Sequence, residues 1–283
     1  MAQIETEYRD LGPAEPSPRG RWPLAQVMLL DLVLILALSL LLATAAQLAF
    51  LILRASQQGI SLLNLRSLKP DEILRLLGGD GLLISVLVQN LVWVLGPVLR
   101  VRLLRREPLA DIGLQARGPL RLVLIGVGIG VAVLVGNMAV SLLLNAAGIR
   151  QNQADQYPLF KGDYVGQALF FLAAAVVAPV GEEILFRGYV FNAIRQTFAS
   201  RSWGLALAFV GSAAGFSLAH SLAATRDVIG LLIPTFLMGL ALAWGVYRTG
   251  SVLPGIIAHA MNNGLALMVL VMCVNGTIPC PTR

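Results

Sequence analysis

The sequence predicts an all-helical, polytopic membrane protein of seven or eight transmembrane helices. Two observations lead there: charge is scarce, and apolar residues fall into runs long enough to cross a bilayer. Of 283 residues, 57% are hydrophobic and only 13% charged, and mean hydropathy is +0.77. A soluble domain carries about 25% charged residues. So few charges cannot cover that much apolar surface in water. Lipid can solvate it, because a helix satisfies its backbone polar groups within its own segment.

Residues 1–22 are polar and include Glu5, Glu7, Asp10 and Glu15. That acidity fits neither a signal peptide nor a transit peptide, so the segment reads as a flexible cytoplasmic tail. Residues 23–283 read as one transmembrane domain. A span needs about 20 mostly apolar residues. The first is expected at 24–53. A polar stretch follows and ends in the amphipathic KPDEILRLLGGD. The second is expected at 82–104, and Arg100, Arg102, Arg105, Arg106, Arg117 and Arg121 lie in or beside the loop after it. The third, at 122–147, carries Gly126, Gly128, Gly130 and Gly136. No strand precedes these glycines, so a phosphate loop is excluded. Small residues of this kind let helices approach closely. After a polar linker, apolar stretches are expected at 165–177, 182–198, 203–220, 228–247 and 252–273. The helix count depends on whether the segments around Pro179 form one broken helix or two.

The net charge is +6, from 21 Lys plus Arg against 15 Asp plus Glu. The cations sit mostly between apolar stretches, which points to membrane topology and anionic headgroups. No basic, aromatic-interleaved patch exists, so nucleic acid is excluded as a partner. Arg9, Arg19, Arg21 and the arginine-rich loop outweigh Arg54, Arg66, Lys69 and Arg75. This predicts a cytoplasmic N-terminus. Without a targeting peptide, a bacterial inner membrane is the expected location. Cys273 and Cys280 lack CxxC spacing and are too few for a disulfide framework, which leaves two plain thiols or a local bridge on an oxidising face.

An ionisable side chain at mid-membrane costs about 2.5–3.5 kcal/mol, so it is retained where it pairs or works. The C-terminal half keeps several. In GEEILFRGY, Glu183 and Arg187 are four apart and can pair on one helix face. Glu182 is turned about 100° away and is left free. Pro179 and Gly181 predict a helix start here, with the glutamates at the positive end of its dipole. In FSLAH, Phe216 and His220 share a face; in HAMNN, His259 and Asn263 do, with Asn262 beside them. The bland alternatives are a structural ion pair and packing histidines. Against them, the chain has only two histidines, and both lie in apolar segments with an aromatic or polar partner at helical spacing. A carboxylate in low dielectric can serve as general base on water. Imidazole and amide donors can stabilise an oxyanion. Alternatively, Glu182, His220 and His259 could hold a divalent metal such as zinc. HExxH and GxSxG are absent, which argues against those zinc and acyl-enzyme mechanisms.

The remaining polar residues read more simply. Asp31 is expected at an interface. Asn90, Asn137 and Asn145 are expected to hydrogen-bond between helices. Trp22, Trp203, Trp244 and Tyr247 suit aromatic belts at the membrane boundary. Asn275-Gly276-Thr277 fits a glycosylation sequon.

EExxxR, FxxxH and HxxxN, in this order on membrane helices, resemble the CPBP family, also called Abi. This group contains the CAAX prenyl endopeptidases and their bacterial relatives. The likeness covers about 178–267 and includes the RGY after the first motif and Pro254-Gly255 before the third. In the first half only the apolar helices and EPLADIGL resemble it. The resemblance implies a helical membrane fold with a cavity open to the cytoplasmic side or the bilayer. It implies an intramembrane endopeptidase acting on membrane-associated or lipidated peptides and proteins, prenylated ones among them. Glu182 would activate water, Glu183 and Arg187 would support it, and His220, His259 and Asn263 would complete the site and stabilise the oxyanion. The ligand set lacks a three-ligand zinc geometry, so a metal-independent glutamate mechanism with no cofactor is expected. Two other classes remain at this point. One is a non-catalytic immunity or scaffold protein of the same fold. The other is a proton-coupled transporter, which the lack of an inverted repeat disfavours.

Overall fold

The computed structural model describes residues 24–115, 118–151, 157–221 and 227–279. The polar tail, Trp22 and Cys280 lie outside them. The described residues form helices and no strands. They are α1 (Leu24–Gln57), α2 (Leu62–Leu65), α3 (Pro70–Arg105), α4 (Pro119–Ala146), α5 (Tyr164–Thr197), α6 (Gly204–Ser221), α7 (Val228–Thr249) and α8 (Leu253–Val274). All but α2 are long and apolar enough to cross a membrane, which gives seven spans. Leucines such as Leu40 and Leu142 are about two-thirds exposed or more, at 70% and 66%. They belong to apolar faces too extensive for water but suited to lipid. The protein is an integral membrane helical bundle.

Of the two alternatives around Pro179, the single helix holds, and the helix start expected there is absent. Residues 164–197 form one continuous helix. Leu172–Val177 and Glu183–Phe191 adopt wide π turns on either side of α-helical Ala178–Glu182. A proline ring inside a helix clashes with the carbonyl four residues back and contributes no N–H. Here the turn just before Pro179 is the widened one, so the helix continues. As expected, the amphipathic KPDEILRLLGGD is set off from the second span: it forms a short helical lead, capped where the Lys69 N–H donates to Glu72 Oε2 at 2.7 Å, and Gly78 at φ +58° kinks the chain before the span proper. Asp80, at the end of the lead, pairs with Arg54 of α1.

Helix α5 is the hub. Every residue from Glu183 to Phe191 is buried. Phe186 packs edge-on against Trp93 of α3 and Phe216 of α6, with ring centroids 5.8 and 5.5 Å apart. Helix α4 lies close to α8 through two of its four glycines. A Cβ at Gly126 would fall 2.9 Å from the Pro254 carbonyl oxygen, and one at Gly130 would fall 2.9 Å from Met261 Sδ. Gly128 and Gly136 face open space.

Asp31 does more than sit at an interface. It pairs with Arg100 at 2.8 Å and accepts the Tyr189 hydroxyl proton, joining α1, α3 and α5. Asn137 reaches Asn262 across helices, as expected, whereas Asn145 bonds Gln151 in the following linker. The Asn275 amide donates to Gln167 Oε1 and to the Val271 carbonyl, so the sequon asparagine ties α8 to α5. After α3, the turn Leu109–Ile112 tucks beneath α5. The Gly113 carbonyl accepts from Val252 N–H at 3.0 Å, and Gln115 bonds to Ser251 and Gly250. A Cβ on Gly188 would come within 2.7 Å of the Ile112 carbonyl oxygen, so the RGY glycine makes room for this segment.

Candidate active site

Glu182 ends the α-helical turn of α5 and Glu183 begins the following π turn. Their side chains take different partners. Glu183 is fully buried; its Oε1 accepts from Arg187 Nη1 at 2.8 Å and lies 3.1 Å from His259 Nδ1. The helical pairing read from the spacing is therefore present, with a histidine of α8 added. Gly255 gives the carboxylate its room, since a Cβ there would lie 2.5 Å from Glu183 Oε2. Arg187 is also fully buried and lies over the Phe216 ring, 4.0 Å from its centroid. That is within cation–π range. Phe216 thus packs against Arg187, His220 and His259 together.

Glu182 Oε2 is buried without a hydrogen-bond partner. It lies 3.5 Å from His259 Nε2 and 3.8 Å from His220 Nε2. The opposite ring nitrogens decide what these contacts mean. His220 Nδ1 is 2.9 Å from the Phe216 carbonyl oxygen, which can only accept. His259 Nδ1 faces a Glu183 carboxylate oxygen in the same way. Both Nδ1 atoms therefore carry protons, and in neutral rings both Nε2 lone pairs turn toward Glu182. Three acceptors converge on one small volume with no protein donor among them. The volume suits a species that brings donors or positive charge to these acceptors, because buried polar groups are rarely left unpaired. Exposure is graded across the cluster: the side chains of His259, Glu182 and His220 are 0, 10 and 28% exposed. The approach is therefore from His220, next to the end of α6.

Glu182, His220 and His259 are also the side chains that would hold a divalent metal, which would supply Lewis-acid activation of water when bound. No chemical step below is routed through one. Asn263 is engaged away from the glutamate. Its Nδ2 donates to the Ala174 carbonyl at 3.0 Å and its Oδ1 accepts from Asn262 at 3.2 Å. Asn137 completes this amide chain at 2.8 Å.

Other polar residues serve the site without belonging to a motif. The Gly181 N–H donates to Asn90 Oδ1 at 2.7 Å. Ser212 of α6 donates to the Phe186 carbonyl, and Asn192 donates to the Gly188 carbonyl. Each is a polar residue inside an apolar run, and that is the only sign of them in the sequence.

An integral membrane bundle with a carboxylate–imidazole cluster buried among three helices is the class these features define. Residues 164–265, from the start of α5 into α8, match the family model described as type II CAAX prenyl endopeptidase Rce1-like. This agrees with the resemblance carried by the three motifs, all of which lie within the match. No curated protein and no solved structure matches the chain.

Proposed function

We propose that the protein is an intramembrane endopeptidase in which Glu182 activates water. The observation that carries this reading is the unpartnered Glu182 Oε2 facing two histidine Nε2 atoms at 3.5 and 3.8 Å. Water held there donates one proton toward Glu182 and directs an oxygen lone pair outward, toward the side exposed beside His220. As that oxygen attacks a scissile carbonyl, Glu182 takes the proton and a tetrahedral oxyanion forms. Glu182 then passes the proton to the leaving nitrogen, the C–N bond breaks, and the acid and amine products separate. His220 is the partly exposed member of the cluster. Its Nε2 accepts the second hydrogen of the water and keeps the attacking oxygen turned toward the substrate. His259 is held by Glu183 and orients the water. Glu183 and Arg187 fix His259, and Asn263 acts indirectly through the Ala174 carbonyl of α5.

The apolar surroundings suit a substrate that arrives in the bilayer, such as a lipidated peptide or a membrane protein segment. The family match supports CAAX-type tails, including prenylated ones, as the first substrates to try. The arginine-rich loop supports a cytoplasmic N-terminal side, in a bacterial inner membrane. The test uses purified protein in detergent with fluorogenic peptides, prenylated and unprenylated. Wild type is expected to cleave, with or without a chelator. Glu182→Gln is expected to lose about 10²–10⁴-fold in rate, the usual contribution of a general base. Undiminished turnover by Glu182→Gln would falsify the proposal.

A further inference from the structure

We infer that Asn90 of α3 is a positioning residue for Glu182, acting through the peptide that precedes it; this rests on the peptidase reading above. Asn90 is buried at 7% exposure, in a span that otherwise packs apolar side chains here. Its two amide ends are both committed. Nδ2 donates to the Val86 carbonyl of its own helix at 3.1 Å, which fixes the orientation of the group. Oδ1 accepts the Gly181 N–H at 2.7 Å in a buried hydrogen bond. The fit on the other side is equally tight. A Cβ at Gly181 would fall 2.3 Å from Asn90 Oδ1 and 2.8 Å from its Cγ, so only glycine admits the contact.

The place of this bond in the helix gives it its effect. Gly181 belongs to the short α-helical piece Ala178–Glu182, which has π turns before and after it. A π turn shifts backbone pairing from i−4 to i−5 and often occurs at functional sites. Two such turns leave the piece between them weakly specified in rotation by the backbone alone. Neighbouring helices supply the missing constraint. Asn263 holds the Ala174 carbonyl before the piece, Ser212 holds the Phe186 carbonyl after it, and Asn90 holds the piece itself. Asn90 is the one of these placed next to Glu182. Rotation of this turn would swing Glu182 Oε2 away from the histidine Nε2 atoms 3.5 and 3.8 Å off.

The test compares Asn90→Leu, which removes the acceptor at similar volume, with Asn90→Asp, which keeps an oxygen in place. Two readouts run on the full-length protein in detergent: peptide cleavage, and amide hydrogen exchange across residues 178–183. Asn90→Leu is expected to speed exchange there while the thermal midpoint stays close to wild type. It should lower kcat by about 10²-fold at similar KM, the scale of loss from a small misplacement of a reacting group. Asn90→Asp is expected to restore most of both. Unchanged exchange in Asn90→Leu would overturn the inference, because the anchor would then be absent. Faster exchange with unaltered kcat would overturn it too, because the anchor would then not position the base. If Asn90→Leu fails to fold, Asn90→Asp carries the test: wild-type exchange and kcat support the anchor, and loss of both overturns it. Absence of cleavage by wild type on every peptide would instead count against the peptidase reading, and the exchange readout would still decide the anchor.

Discussion

Glu183 and Arg187 pair at 2.8 Å with no exposure to solvent, and their energetics differ from those of a surface pair. Removing one partner from a buried pair leaves an uncompensated charge and costs about 3–5 kcal/mol. Arg187→Met is therefore expected to lower the thermal midpoint sharply in detergent, where fluorescence-monitored unfolding reads it. Arg187→Met with Glu183→Gln should recover part of the loss, and a double variant no better than the single would refute the pairing as the cause. Gly255→Ala makes a subtler probe, since its Cβ would press on Glu183 Oε2 at 2.5 Å. It should displace Glu183 from His259 and reduce cleavage while expression stays normal. Most of these residues were legible in the sequence, because ionisable side chains in an apolar run stand out. Their partnerships were legible only within one helix. The Glu183–Arg187 spacing is local, but the contact from His259 spans 76 positions. The partner of Asn263 was hidden for the same reason: it is a backbone carbonyl, which no sequence pattern marks.

At the level of elements, hydropathy located all seven spans but placed a break at Pro179 that the chain does not make. Hydropathy responds to side-chain type alone. The difference between α and π pairing is one of backbone register, and a proline looks the same before either. The glycines of α4 show a similar limit: the sequence flagged four, while two make the close contacts. Gly126→Leu and Gly130→Leu should each destabilise the fold by at least the roughly 1–3 kcal/mol typical of overpacking. Gly128→Leu and Gly136→Leu, with nothing within 4 Å of their added Cβ, should be tolerated. Thermal unfolding of the four variants side by side measures this, and equal loss across all four would contradict the packing described. The segment 109–115 stood out in the sequence only through EPLADIGL, because it is short and irregular; its contacts to α5 and to the turn before α8, through Gly113, Gln115 and Ile112, carry no pattern.

For the whole molecule, the family match covers only residues 164–265, but the site depends on helices outside it. Asn90 comes from α3, and Asp31 and Arg100 anchor Tyr189 from α1 and α3. A fragment beginning at residue 157 should therefore be protease-sensitive in membranes, and co-expression of residues 1–151 should protect it. A fragment that resists proteolysis alone would show that the first half is dispensable. The closure of the site on one side has a further consequence. Five of the seven spans lie between the start of α1 and the end of α6, so these two points are on opposite sides of the membrane. The buried stretch Glu183–Phe191 closes the site toward the first side, and His220 is partly exposed near the second. The partly exposed side of the cluster and the arginine-rich loop thus lie toward opposite faces of the membrane, and under the proposed function the substrate enters from the face away from that loop. Locating a single tag ahead of α1 would then identify the leaflet that delivers the peptides to be cut.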